Sequence, residues 1–407
     1  MHRRSSTLCS ILIVTVLLLT CSYAWSAKAV ATSKTDIYML DSGGTSAKCI
    51  VNWNDPLFTP ANLAGIKTKG NLMYVADESA TGPLLHVLQI TGNNTATRIN
   101  TIELKQGSTA ISIPKNLSLD ASGGVYVHGE NSYAYVNPVT SAVSVSYVGS
   151  NSNYAPLIDI ATFATGAVIV HKDQTDGPDS DVSHASSVTG ASTINTQVLS
   201  DNTTKNYTPI AVAVHPDVAV NPLAYVLNRF GAASRPNFGT VTVVDAATSA
   251  PAYGLSSSNF NLAEGMIPLD ITAFTTTLGI KCIGIVAIRE NNLPNNNQEV
   301  WRYELNSDGR IKLSDPLKYF LPGTYSQNHK LEFSPDGNAL WITNEAAKTV
   351  DVLNADTWLP LVDQLSLGGN ANYIADWDGI VPEPSSFIAF LTFATGMFGL
   401  VRKRRMR

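Results

Sequence analysis

Charge is scarce in this sequence, cysteine nearly absent, and helical periodicity missing. Charged residues make up 14% of the 407 positions, well under the ~25% of an ordinary soluble domain. Ser, Thr, Asn, Gly and Ala fill the gap and suit exposed strands and turns. Of four cysteines, Cys9 and Cys21 precede residue 30. The other two, Cys49 and Cys282, are too few for a disulfide framework and are expected as separate buried thiols in strands. Basic residues are also missing from the middle: eight of the 27 Lys and Arg lie at the two ends, leaving 19 between positions 30 and 380 against 31 Asp and Glu. A body of that charge excludes binding to nucleic acid or anionic lipid through its general field. No helical period runs through residues 35–378, and no G-x-S-x-G elbow, H-E-x-x-H helix or C-x-x-C-H site is present. Hydrolase-elbow, zincin and c-haem chemistries therefore have no foothold.

The longest apolar runs sit at the ends. Residues 1–29 carry Arg3 and Arg4, then ILIVTVLLLT from Ile11 to Thr20, then small residues through Ala24, Ser26, Ala27 and Ala29. This is the order of a secretory signal peptide. The apolar run is short of the ~20 residues of a membrane helix, so Sec-dependent export with cleavage after Ser26 or Ala29 is expected. Lipidation at Cys21 is disfavoured by Thr20 before it.

Residues 379–407 hold an apolar segment, 387–401, followed by Arg402, Lys403, Arg404, Arg405 and Arg407. The segment reads as a short transmembrane helix whose basic tail, 402–407, stays cytoplasmic. Before it stand Val381, Pro382, Glu383 and Pro384. Two prolines prevent helix or strand pairing there and keep the backbone extended and accessible. Triplet, short span and basic stop together resemble the PEP-CTERM sorting signal that exosortases recognise. The resemblance implies that an exosortase-type enzyme processes the exported chain near the triplet after the tail has parked it transiently in the inner membrane.

Between the ends, seven short apolar strands recur: Ile37 to Leu40, Leu72 to Ala76, Val125 to Gly129, Ala167 to His171, Leu223 to Leu227, Gly284 to Ile288 and Leu340 to Asn344. Pro60, Pro114, Pro156, Pro209 and Pro268 each open a segment leading into such a strand, and Asn328 replaces the proline in the last unit. Irregular spacing of this kind fits four-stranded repeats with variable loops. The last unit, LEFSPDGNALWITNEAAKTVDVLNADT, has a strand, a turn at Pro335, Asp336 and Gly337, a second strand, a polar link and a third strand. Asp-Gly supplies the positive φ of a tight hairpin, so Asp336 is read as structural. The unit resembles the repeat of YVTN-type β-propellers, the architecture shared by lactonases. The expected fold is thus all-β, a seven-bladed β-propeller over 30–378, with GNANYIADW from Gly369 completing a blade begun near Thr35.

Candidate chemistry is sparse. Asp173, Asp176, Asp179 and Asp181 cluster between His171 and His184. Calcium would accept such oxygens, but the order is not an EF-hand and a solvated loop is expected. His215 and His329 adjoin first strands, where they either face the channel or bond to neighbouring blades, and the Asn-rich segment 291–297 reads as a turn. No catalytic residue or cofactor is assigned. The sequence predicts an exported binding or scaffold module at the cell surface or in an exopolysaccharide matrix, with an extracellular ligand or polysaccharide as partner. A lactonase-like hydrolase is the alternative.

Overall fold

In the computed structural model, the described residues are 28–377 apart from 43–46, 52–59, 61, 80–81, 93–94, 138, 148–155, 164–165, 173–179, 186–193, 199–206, 218–221, 233–234, 254–257, 263–264, 290–297, 323–327 and 335. The signal region up to residue 27, the sorting tail from residue 378, and Asp173, Asp176 and Asp179 lie outside them.

The body is all β. Six blades each use four consecutive antiparallel strands. Blade 1 comprises Leu63–Lys69, Leu72–Ser79, Gly82–Gly92 and Thr95–Glu103; blade 2, Asn116–Leu119, Val125–His128, Ser132–Val136 and Val143–Tyr147; blade 3, Leu157–Phe163, Gly166–Lys172, Ser180–Ala185 and Ile194–Val198. Blade 4 comprises Tyr207–Val214, Leu223–Ala232, Arg235–Asp245 and Asn259–Asn261; blade 5, Met266–Thr275, Lys281–Arg289, Gln298–Glu304 and Leu317–Leu321; blade 6, Leu331–Phe333, Ala339–Asn344, Thr349–Asn354 and Pro360–Ser366. The chain's two ends build one more four-stranded sheet: Tyr373–Trp377 pairs with Lys28–Thr32, which pairs with Ile37–Asp41, which pairs with Lys48–Cys49. Trp377 lies opposite Lys28 and Tyr373 opposite Thr32.

The first strands of the six blades and Tyr373–Trp377 touch one another in a closed cycle. They form the inner ring of a propeller, in which each sheet keeps one edge sheltered at the channel and one at the rim. Second strands carry continuous apolar runs because both their faces are covered. Ala167 to Val170 and Ile285 to Ala287 have no exposed surface, which is the recurrent run seen in the sequence. The core is divided accordingly, with one hydrophobic cluster between each neighbouring pair of sheets. Trp301 fills the cluster between blades 4 and 5, and Trp341 the one between blade 6 and the composite sheet.

The inner strands of blades 1, 3, 4 and 5 carry a register shift, between Leu63 and Ile66, Leu157 and Asp159, Pro209 and Ala211, and Pro268 and Asp270. Pro209 and Pro268 fit here because an inner strand has one unpaired edge and a bulge needs no ladder donor. The bulge in blades 3 and 5 brings an aspartate to the channel side. At the opposite end of blade 6, Gly337 takes φ 78°, and Asp336 accepts from Ser334 Oγ and Asn338 N.

Three readings are adjusted by the structure. The composite sheet takes in Lys28 and Ala29, two residues before the boundary expected at Val30. The blade expected to begin near Thr35 takes Tyr373–Trp377 as its innermost strand and Ile37–Asp41 as its third. Cys49 and Cys282 are both free, but Cys49 is exposed because it sits on an outermost strand, and only Cys282 is buried. Burial raises the Cys282 thiol to about 12, so it is inert.

Candidate functional site

Inner strands all run the same way round the axis, which gives the ring an upper face where they begin and a lower face where they end. The channel between them is the natural place for chemistry. It is neither apolar nor merely hydroxyl-lined: a lysine–carboxylate network spans it. Lys67 Nζ of blade 1 lies 2.5 Å from Glu332 Oε2 of blade 6, reaching past the composite sheet between them. Beside it, Thr68 Oγ1 donates to the carbonyl of Asp376. Higher up, Lys330 Nζ lies 3.5 Å from Asp270 Oδ1.

The two bulge aspartates are held by the backbone of the next blade. Asp270 Oδ2 accepts from Leu331 N at 2.8 Å, and Asp159 Oδ2 accepts from Val212 N at 3.0 Å and Oδ1 from Asn116 Nδ2 at 3.1 Å. Each therefore joins adjacent inner strands where the bulge has interrupted the regular register. Burial raises the Asp270 carboxyl to about 6, with Lys330 pulling the other way. For Lys67 and Lys330 burial opposes the charge, yet nearby carboxylates outweigh it: Glu332, Asp376 and Asp159 for the first, Asp270 and Asp159 for the second. Both ammonium groups are held above their ordinary range.

The two histidines singled out in the sequence are engaged elsewhere. His215 follows the inner strand of blade 4 at the lower face, where Nδ1 accepts from Asp217 N at 3.0 Å and the ring lies beside Tyr225. Burial lowers its pKa. His329 is buried at the upper end of blade 6, 2.5 Å from both Thr343 O and Gln298 Oε1. A third histidine had no signal in the sequence. His86 Nε2 lies 3.3 Å from Asp77 Oδ2, and Nδ1 lies 3.1 Å from Thr101 Oγ1. The order Thr, His, Asp superficially matches a nucleophile relay. Here both His86 and Asp77 are sealed within blade 1, which leaves no path for a substrate, and Asp77 also accepts from Asn62 N. The arrangement clamps three strands together.

Of the acidic cluster, Asp181 lies on strand Ser180–Ala185, opposite His171 and Val198. Among the described residues no group of three or more His, Cys, Asp or Glu side chains is placed to hold a metal ion. Nor is any helix among them long and apolar enough to cross a membrane. The channel residues Lys67, Asp159, Asp270, Lys330 and Glu332 were not read as a site in the sequence. One signal was available: Asp159 and Asp270 both follow closely on Pro156 and Pro268, in PLID and PLD.

No family model matches the sequence, and no curated protein matches it. Solved structures do. A 6-phosphogluconolactonase-like protein of Bacteroides uniformis superposes with a TM-score of 0.54 at 11% identity, covering 86% of this chain and 99% of its own. AztD of Citrobacter koseri gives 0.52 at 12% identity, over 88% of this chain and 100% of its own. The β-propeller domain of Myceliophteria thermophila Cps50 (Swd1) gives 0.51 at 9% identity, over 77% and 90%. Likeness at such identities speaks for fold alone, and on it and the closed ring of sheets the body of this protein is a β-propeller.

Proposed function

We propose that the protein is an exported propeller, seven-bladed if the composite sheet is counted, that serves as a binding or scaffold module at the cell surface or in an exopolysaccharide matrix. One observation carries the choice of a binding module: the histidines and channel carboxylates available for chemistry are each engaged in contacts that hold strands, turns or blades together. Asp159, Asp270 and Glu332 bridge inner strands, while His215 and His329 are buried in local bonding. The alternative, a lactonase-like hydrolase using channel-facing histidines or acidic residues, rests on fold likeness, and His215, His329, Asp159, Asp270 and Glu332 are the groups it would have to free from these contacts.

In this reading the leader directs Sec export. The tail then holds the chain in the inner membrane until an exosortase-type enzyme acts near Val381 to Pro384, with Arg402 to Arg405 as the cytoplasmic stop. Ligand contacts fall to the upper face. The second strands of blades 3 and 5 end there, at Lys172 and Arg289.

Two measurements test the route. Substituting Pro382 and Pro384 with Ala should strand the precursor in the inner membrane; unchanged release and unchanged C-terminal mass would defeat the sorting reading. Lys28–Thr32 is a paired strand, so cleavage after Ser26 keeps it whole whereas cleavage after Ala29 removes Lys28 and Ala29 from their partners Trp377 and Asp376. The mature N-terminus should therefore be Ala27, and a mass starting at Val30 would refute this.

A further inference from the structure

The two chain ends leave the propeller at the same place. Lys28 lies directly opposite Trp377 in the composite sheet, at the lower face where inner strands end. The departure point is fixed: Trp377 is buried, its indole N–H donates to Gly70 O at 3.0 Å, and the Lys28 ammonium sits 5.7 Å from its ring centroid.

A second, independent feature lies on that face. Among the described residues the four most exposed large apolar side chains are Leu313 at 91%, Val139 at 90%, Leu278 at 73% and Leu359 at 62%. Each stands on a first-to-second or third-to-fourth strand connection: Val139 in blade 2, Leu278 and Leu313 in blade 5, Leu359 in blade 6. All such connections are at the lower face. Singly exposed apolar residues are ordinary. They stand on blades 2, 5 and 6, spread round one face rather than in a single patch, so the face offers several separate apolar contacts to a broad, flat partner.

We infer that the lower face is the membrane-apposed face of the uncut protein, with Leu313, Val139, Leu278 and Leu359 touching the lipid surface and the upper face pointing away from it. The inference rests on the membrane-anchor reading of the tail. Nine residues, 378–386, separate Trp377 from the apolar segment, a reach of about 30 Å when fully extended. Presenting the upper face would require the chain to climb the height of a blade. An eight-residue strand such as Leu72–Ser79 spans about 26 Å at ~3.3 Å per residue, which would consume nearly all of that reach.

The contact is conditional on the tether. Asp120, Asp217, Asp245, Asp308, Asp336 and Asp356 also stand at lower-face turns, and of the cations there Lys281 pairs with Asp217, Arg310 with Asp308 and Lys312 with Glu304, so the face has little charge free to draw it to anionic lipid. A few apolar side chains against this acidic rim bind weakly by themselves, whereas a short linker raises their effective concentration at the bilayer by orders of magnitude. Cutting the tail near Pro382 then releases the face as well as the chain. The same side chains that settle the uncut protein do not hold the processed one.

The test uses chains that begin at Ala27, as after leader cleavage, with Cys49 replaced by Ser and one environment-sensitive label carried through Leu313→Cys, Val139→Cys or, on the upper turn of blade 6, Ala346→Cys. Each is mixed with phosphatidylethanolamine–phosphatidylglycerol vesicles containing a spin-labelled lipid quencher, and a chain ended at Trp377 serves as comparison. The expected result is strong quenching at Leu313 and Val139, little at Ala346, and none in the shortened chain, whose vesicle-bound fraction falls about a hundredfold or more. Equal or stronger quenching at Ala346, or co-flotation with vesicles without quenching at either lower position, overturns the face assignment while leaving the anchor intact. Self-quenching between lower-face labels overturns it in favour of a second copy of the chain. Failure of the tail-bearing chain to float with the vesicles overturns the anchor reading itself, and the face assignment with it.

Discussion

Asp351 is a single buried carboxylate whose two oxygens fare differently. Oδ1 accepts from Gln364 N at 2.9 Å, while Oδ2 has no partner among the described residues. Burial raises its pKa to about 6, the Gln364 N–H opposing and Asp363 adding to it. An acid raised in the fold binds its proton more tightly there than in the unfolded chain. Its contribution to stability is therefore full below about pH 4 and is lost as the pH rises through about 6. Asp351→Asn keeps the acceptor and removes the charge. It should stabilise the protein by about 2 to 3 kcal/mol above pH 7 and leave stability unchanged near pH 4, as read from denaturant melts at the two pH values. Asp270 is raised too, but Lys330 and Leu331 N depend on it. Asp270→Ala should cost about 2 to 4 kcal/mol, discounted for the partial exposure of Lys330. Adding Lys330→Met should recover much of that loss; a double variant no better than the single one would show that the ammonium is not the group left stranded.

At the scale of strands, much was legible and some was hidden for identifiable reasons. The apolar runs at Tyr74, Tyr126, Ile169, Tyr225, Val286 and Trp341 mark second strands because only a strand covered on both faces can carry a continuous apolar run. Asp336 and Gly337 mark a hairpin because the turn demands a positive φ. The composite sheet was only half visible. Tyr373–Trp377 could be matched to the N-terminal region, but Lys28–Thr32 merges with the small residues of the cleavage region, so its first two residues looked like leader. The channel was hidden for another reason: Lys67 and Glu332 are 265 residues apart, and no local pattern couples them. The composite strand gives a direct prediction. Lys28–Thr32 is paired on both sides, so Ala31→Pro disrupts the ladder of a central strand and should destabilise by about 1 to 3 kcal/mol. Lys48–Cys49 is a short outermost strand, and Lys48→Pro should cost under about 1 kcal/mol. Comparable denaturation midpoints for the two variants would contradict the pairing.

For the whole molecule, the ring is closed by contacts between its ends, so stability should depend on the last strand far more than on the tail beyond it. A chain ended at Asn372 loses Tyr373–Trp377 and opens both the composite sheet and the inner ring. It should lose its single cooperative thermal transition. A chain ended at Trp377 should melt as the leaderless protein does. A cooperative transition in the first would mean that the blades are stable without closure.

That closure also sets the order in which the protein can form. Strand Lys28–Thr32 emerges from the ribosome among the first residues, while its partner Tyr373–Trp377 comes almost last. Six contiguous blades can assemble from local hairpins as they appear. The first strand has to wait with one unpaired edge for nearly the whole chain, the long-range pairing that makes β topologies slow and exposed to misassembly. Under the proposed export route the delay grows, because the waiting edge lies outside the membrane while its partner is still being threaded across. The closing step of folding in this propeller is thus the arrival of Tyr373, and a variant whose last strand is delayed or lost leaves KAVAT as an unpaired edge.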